Sequence, residues 1–404
     1  MAKASTPHRV GVIGLGSRAE GFVKQLHAGL PRGRLVAVCE TDEDRLRRFS
    51  DHCGLAGVAA TTDPEAFFAR DDMDAVVITT PDFTHAEMGL RAIAAGKHFY
   101  LEKPMDVTAD RCRALLRAHR SSPVRAFVGF NMRVIACYAR AKAIVDSGLL
   151  GPLVHVAGME QLDVAHSASF MRRYHRHRAR SGGFLNTKSC HDLDFMNWCV
   201  GLDHKVVRVA SFGGLNVFTP DKAPARRCGE CPTDVRQACR YRDKPGYVFA
   251  GGAKEPPPKV RDPEIYGGDL CVYTDDKSII DNQTLIMEWD HGVRGSFNLE
   301  LFQARERRTT QIWGEDGVLE LDGETIRVVR SPGGEVIDER PVAADGAHGG
   351  ADQYMMDLFF DAIEREAEPE SGLAAGLAAT LVALKAEEAM LARKVVEIAP
   401  EEYA

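Results

Sequence analysis

The sequence predicts an α/β protein in two parts: a doubly wound parallel sheet over residues 1–131, then an α+β domain with an open, mostly antiparallel sheet over residues 132–404. Three observations carry that prediction. Short apolar runs alternate with helical stretches through the first third of the chain, the pattern of successive βαβ units. Beyond residue 131 the runs lengthen and are joined by turn residues, as in antiparallel hairpins. A chain of 404 residues is also longer than one ordinary core organises, so two domains are the natural expectation.

Taken in order, "RVGVIG" (9–14) is a first buried strand, and "SRAEGFVKQLHAGL" after it reads as a helix. "RLVAVCE" (34–40) and "DEDRLRRFSDHC" repeat the unit, and "DAVVITT" (74–80), "KHFYLEK" (97–103) and "RAFVGFN" (125–131) are the later strands. In the second part "PLVHVAGMEQLDV" (152–164), "QTLIMEWDHGVRGSFNLEL" (283–301) and "TTQIWGEDGVLELDGETIRVVRS" (309–331) read as longer strands and hairpins. "KEPPPKVRDP" (254–263) reads as a proline-rich loop within that part. The tail "AGLAATLVALKAEEAMLARK" is strongly periodic at helical spacing, and the last helices are expected to be able to pack back on the first domain.

Composition narrows the function classes. With 45% hydrophobic residues and a formal net charge of −7, nucleic acid is not the expected main partner. No apolar run is long enough to cross a bilayer, and the N-terminal "MAKASTPHRV" lacks a signal-peptide core, so a cytoplasmic location is expected. Ten cysteines in a chain of this length are expected to be free thiols or metal ligands rather than a disulfide scaffold.

The first chemical motif is "GLGSRA" (14–19), with Gly14, Gly16 and Ala19 in a G-x-G-x-x-A pattern. Glycines between a strand and a helix let the backbone turn sharply and approach a pyrophosphate at the helix N-terminus. Ser17 and Arg18 belong to the same turn. Glu40 closes the second strand, where a carboxylate can accept from both ribose hydroxyls and would repel a 2′-phosphate. NAD is therefore favoured over NADP.

Two further segments fall at carboxyl ends of strands, the edge where open α/β sheets bind ligands: Thr80-Pro81, and Glu102-Lys103-Pro104. Together with "THAEM", "AGKH", "GFNMR" and "SGGFLNTKSCHDLD" they make the chain resemble the Gfo/Idh/MocA oxidoreductase family, over nearly its whole length. The resemblance implies a nucleotide-binding first domain, a sheet-based second domain and chemistry at the cleft between them. It adds His85 and Asn131 to the expected cofactor contacts Gly14, Gly16, Ser17, Arg18, Glu40, Thr80, Pro81, Glu102 and Lys103. It makes Lys103 a contact of both substrate and cofactor and a proton carrier. Arg133, in the segment after the last nucleotide-domain strand, becomes a candidate substrate contact. Asp82 stands where the family usually has Asn. The family's open sheets also imply a homo-oligomer, a dimer or tetramer.

The stretch 181–198 aligns with the family's histidine segment: Gly182, Gly183, His191 and Asp194 match, while Thr187 replaces the usual aspartate and Lys188 follows it. At helical period Lys188, His191 and Asp192 share one face. Leu185, Leu193 and Met196 can face a core. Like charges on Lys103, Lys188 and a nicotinamide cation are expected to depress one lysine, making it a general base. Lys103, His191 and Lys188 are the expected catalytic group, moving the proton of a sugar hydroxyl. Asp192 is a candidate orienting or substrate contact, with a plain surface acid the simpler reading.

Residues 172–180 carry seven cationic or potentially cationic side chains in nine positions. Such runs are usually solvated, but Tyr174, His175 and one of the arginines are candidate pocket residues for an anionic substrate, arginine being the better fork for such a group. Cys228 and Cys231 form a C-x2-C pair, Cys239 follows, and Cys271 can complete four ligands. A structural zinc is expected there, with free thiols the plain alternative. His348 precedes a Gly-Gly pair and is either a cleft residue or a surface histidine.

The expectation is an NAD-dependent oxidoreductase acting on a sugar, sugar acid, polyol or glycoside. An NAD-dependent glycosidase that oxidises, eliminates, hydrates and re-reduces is the alternative, because Lys188 offers a second base. A nucleotide-binding regulator without catalysis is the third reading.

Overall fold

A computed structural model describes residues 6–242, 268–342 and 350–404. The chain divides into two compact units, one containing Met1–Asn131 and Gly346–Leu377, the other Met132–Gly246, Asp262–Asp345 and Ala378–Ala404. The proline-rich stretch 254–263 and His348 lie outside the described residues.

In the first unit six strands run β1 (His8–Ile13), β2 (Gly33–Cys39), β3 (Ala59–Thr61), β4 (Ala75–Ile78), β5 (His98–Leu101) and β6 (Ala126–Val128). They pair in parallel in the order β3-β2-β1-β4-β5-β6, the arrangement of a doubly wound nucleotide-binding sheet. Strand β3 is too short and too weakly apolar to stand out in the sequence. The strands are apolar throughout because helices cover both faces, among them α1 (Ser17–Ala28), α2 (Glu43–Cys53), α3 (Pro64–Phe68), α4 (His85–Ala94) and α5 (Ala109–Arg120). The order reverses between β1 and β4, which places the ends of those strands at the ligand edge. The helix Ala351–Glu364 also belongs to this unit and brings Phe359 to within 6.3 Å, ring to ring, of the buried Tyr100.

The second unit holds nine strands: β7 (Leu153–Gln161), β8 (Val206–Gly214), β9 (Asn282–Trp289), β10 (Arg294–Glu300), β11 (Arg307–Gly314), β12 (Gly317–Leu321), β13 (Ile326–Arg330), β14 (Val336–Glu339) and β15 (Val396–Glu397). Their order is β14-β13-β12-β11-β7-β10-β9-β8-β15, antiparallel except for β7 beside β10. The helices α6 (Ala136–Asp146), α7 (Val164–Arg172), α8 (Arg178–Ser181), α9 (Phe184–Val200) and α10 (Thr233–Ala238) belong to it, as does most of the long helix Leu373–Ala392. α9 lies against β7, where Gly158 leaves room: a Cβ there would stand 2.7 Å from the Phe297 ring and 3.6 Å from the Met196 sulfur. Trp289 on β9 is fully buried and donates from Nε1 to Asn197 Oδ1 of α9 at 3.1 Å. No helix among the described residues is long and apolar enough to cross a membrane.

Candidate active site

The ligand edge of the first unit is built by the turn after β1. Gly14 has φ +88°, and a Cβ on it would stand 2.7 Å from the backbone N and Cα of Thr80, so only glycine fits where the two strand ends cross. Gly16 precedes α1, and a Cβ on it would meet nothing within 4 Å. Its need for glycine comes from no protein neighbour, which suits a site where a ligand approaches the backbone. Glu40 is buried and accepts from the Leu15 N–H at 3.0 Å and the Asp42 N–H at 3.1 Å. Its carboxylate is thus held at the turn where a ribose diol would be recognised. These features fit a dinucleotide. Replacing Gly14 by alanine is expected to weaken NAD binding at least about tenfold, since strain at a positive φ costs about 1–3 kcal/mol before the clash is counted; a fluorescence titration with NAD measures it.

Other expected cofactor contacts take different places. Arg18 donates from Nε to Glu102 at 2.6 Å and through both terminal nitrogens to Asp352, at 2.7 and 2.9 Å. Glu102 and Arg18 are therefore partners in an ion-pair network. Asp352 stands four residues after His348, and nothing in its spacing singles it out. His85 is buried, with Nδ1 2.7 Å from the Pro104 carbonyl and Nε2 2.8 Å from the Thr80 carbonyl. Both ring nitrogens face backbone oxygens, and His85 ties the two ligand-edge loops together. Thr80 also accepts from the Thr84 hydroxyl at 2.8 Å, and Pro81 starts the turn Asp82–Thr84. Asn131 opens the turn Asn131–Val134. Lys103 follows β5 by two residues and is partly exposed.

In the second unit α9 carries the candidate site. Gly182 (φ +72°) and Gly183 (φ +100°) turn the chain into the helix; a Cβ on Gly182 would stand 2.5 Å from Asn186 Nδ2. The helix is buried on every side except at Lys188, His191 and its last residue, Val200. A lysine and a histidine one turn apart are thus the only chemically versatile side chains of α9 that reach its accessible surface.

Beneath them lies a buried charge cluster that spacing did not reveal. Lys188 Nζ is 3.2 Å from Glu160 Oε1, and Ser189 donates to Glu160 Oε2 at 2.9 Å. Arg308 bridges, donating to Glu160 and, from Nε at 2.7 Å, to Asp192. The sequence signal was phase: Glu160 occupies the inward position of β7 shared with Val156 and Gly158, and Arg308 shares the face of Thr310 and Ile312 on β11.

Burial alone would raise the Glu160 carboxyl, but Arg308 and Lys188 outweigh it and hold it at about 2. Burial raises Asp192 to about 7, with Glu160 adding to the rise and Arg308 opposing it. Two carboxylates sharing one guanidinium are in this way driven apart.

One expectation is corrected: Asp192 is a buried partner of Arg308, not a surface acid. Lys188 faces the Glu160 carboxylate as a hydrogen-bond donor. A pH prediction follows from Asp192. Folded, it keeps a proton between its ordinary 3.8 and about 7; that contribution to stability is complete below the lower value and lost as pH rises through the upper. The wild-type melting temperature should therefore fall, relative to Asp192→Asn, between about pH 4 and pH 7; a constant difference across that range would remove the assignment.

The basic run is only partly solvated. Arg172 and Arg176 are each 1% exposed. Arg176 donates to the Asp276 carboxylate at 2.8 Å and to the Arg172 carbonyl at 3.1 Å, and Arg178 reaches Glu387 at 2.7 Å. Guanidinium groups can be buried here because backbone carbonyls take their donors. Tyr174 is buried and stacks on His175, ring centroids 3.9 Å apart. Arg133 donates through Nε and Nη2 to Asp194, at 2.8 and 2.7 Å, with both residues buried. Its Nε and Nη2 are engaged by that carboxylate.

A parallel sheet of this order with its glycine turn and acidic β2 end defines a dinucleotide-binding protein. Comparison with known proteins carries this further. Residues 8–130 match the oxidoreductase family's NAD-binding Rossmann fold, and residues 142–398 match its C-terminal alpha/beta domain. The chain belongs to the Gfo/Idh/MocA oxidoreductase family. It is 24% identical over 369 residues to YteT of Bacillus subtilis (strain 168), covering 78% of this chain and 84% of that one. It is 35% identical over 153 residues to an inositol 2-dehydrogenase of Gluconacetobacter diazotrophicus, but that match spans 38% of this chain and 45% of the relative. Among solved structures, a levoglucosan dehydrogenase in complex with NADH has the same fold, with TM-score 0.74 at 17% identity over 98% of this chain and all of that one.

Proposed function

We propose that the protein is an NAD-dependent dehydrogenase acting on a secondary hydroxyl of a polyol, sugar, sugar acid or glycoside. The single observation that carries the reading is α9, buried except at Lys188, His191 and its terminus, in a chain whose other unit is built for NAD. Inositol dehydrogenases among its relatives support the substrate class. NAD, held by the Gly14–Ser17 turn and Glu40, would supply a hydride acceptor. Lys103 and His191 are assigned to the proton of the substrate hydroxyl. Lys188, held by Glu160, is assigned to orient a substrate oxygen as a charged hydrogen-bond donor. Tyr174 and His175 are proposed to border the substrate. The open sheet face, with Phe212 76% and Ile286 54% exposed, supports a homo-oligomer, and we assign the protein to the cytoplasm.

Absorbance at the NADH wavelength, followed with a panel of inositols, aldoses, sugar acids and anhydrosugars, tests this. NADH accumulating in proportion to substrate supports the dehydrogenase. Aglycone release from glycosides without net NADH would replace it by the NAD-dependent glycosidase. Neither activity with any member would leave a nucleotide-binding regulator as the better reading.

A further inference from the structure

We propose that Cys228, Cys231, Cys239 and Cys271 hold one structural zinc ion, which clamps the loop they belong to onto the basic segment ahead of α9. Five of the ten cysteines are buried in the cores; of the five that are only half-buried, these four line one cavity of about 580 Å³, and the fifth, Cys53, ends α2 in the first unit. Sequence distance does not explain that convergence; the fold does. An antiparallel bridge pairs Arg227 with Leu270, the Cys228 N–H donates to the Asp269 carbonyl at 2.8 Å, and the Cys271 N–H donates to the Arg226 carbonyl at 2.9 Å. A tight turn, with the Cys231 N–H 3.4 Å from the Cys228 carbonyl, presents the C-x2-C pair. The six residues of α10 then return the chain to Cys239.

Charge argues for a metal thiolate centre. Zinc displaces one proton from each of four thiols, so the bound centre carries two net negative charges. Arg172, Lys222, Arg227, Arg236, Arg240 and Arg242 line the same cavity, with Asp234 the one acid among its lining residues. Arg172 is buried and donates from Nε to the Leu270 carbonyl at 2.7 Å and from Nη2 to the Tyr241 carbonyl at 2.9 Å; Nη2 also lies 3.4 Å from the Cys228 sulfur. A donor on a ligand sulfur is the usual outer-shell support of such a site. Arg172 ends α7, five residues before α8, so the clamp acts on the segment that leads into Lys188 and His191. Four thiolates leave no open position, which makes the site structural. Among the described residues no three of these sulfurs lie within 4.8 Å of one another, whereas a zinc tetrahedron needs about 3.8 Å. Binding must therefore tighten the loop.

Elemental analysis of the full-length protein, purified without chelator and then dialysed, tests the proposal. About one zinc per chain and no acid-labile sulfide is expected. Cys231→Ser and Cys239→Ser should each lower zinc content at least tenfold, with Cys53→Ser unchanged. Because those serine variants can misfold, the wild-type protein is also titrated with an organomercurial, where one zinc should be released as four thiols react. Limited proteolysis of the wild-type loop should be slower with zinc than after chelation. Protein that holds no metal even after zinc is added under reductant would overturn the proposal. So would iron with sulfide, a disulfide among the four cysteines, or zinc retained by both serine variants.

Discussion

Lys103→Ala and His191→Ala should each lower turnover by about 10²–10⁴-fold, the usual contribution of a positioned acid–base group, while NAD affinity in the His191 variant changes by no more than a few fold. Oxidation of an alcohol needs its proton removed as the carbon-bound hydrogen leaves. Lys103 stands two residues past β5 at the ligand edge, and His191 is one of the few positions of α9 that is not sealed in the core. Lys188→Met should act differently. Losing a donor held against Glu160 ought to raise KM more than it lowers turnover, and the freed Glu160 charge should reduce stability as well. Steady-state kinetics beside direct NAD titration separates these outcomes. Full turnover in either the Lys103 or the His191 variant would remove that residue from the proposed mechanism.

Arg133→Ala should destabilise the protein by about 3–5 kcal/mol, because it removes the bidentate guanidinium from the buried Asp194 carboxylate. Both residues are buried, and the guanidinium also lies 5.2 Å from the Trp198 ring centroid. The double variant Arg133→Met/Asp194→Leu removes both charges at similar volume and should recover most of the loss. Chemical denaturation of the three proteins measures the cycle. If Arg133 instead contacts substrate, the single variant would keep its stability and show a raised KM, and the double variant would not recover function.

The parallel sheet was legible because its strands are buried on both faces and its helices lie between them, so periodicity changes sharply along the chain. Gly14, Gly16 and Glu40 were legible because a phosphate turn and a ribose contact need fixed residue types at fixed spacing. The side-chain partners of His85, Arg18 and Arg133 were not legible in the same way. Each occupies a motif position, yet each finds its partner in the fold: two carbonyls for His85, Glu102 with Asp352 for Arg18, and Asp194 for Arg133. A motif says where a side chain starts, and only packing says what it reaches.

What the sequence by itself determined is the pair of fold classes, the nucleotide turn, the oxidoreductase family and the lysine and histidine one turn apart on one helix. Those follow from local period and from short motifs whose parts are near in sequence. Only the tertiary structure decided that α9 is buried except at those residues, that Glu160, Asp192 and Arg308 form a charged layer beneath it, and that four dispersed cysteines line one cavity. Glu160 and Asp192 are 32 residues apart, and Arg308 lies another 116 beyond. Burial and charge pairing over such distances depend on which strands become neighbours, β7 beside β11, and no local pattern carries that choice.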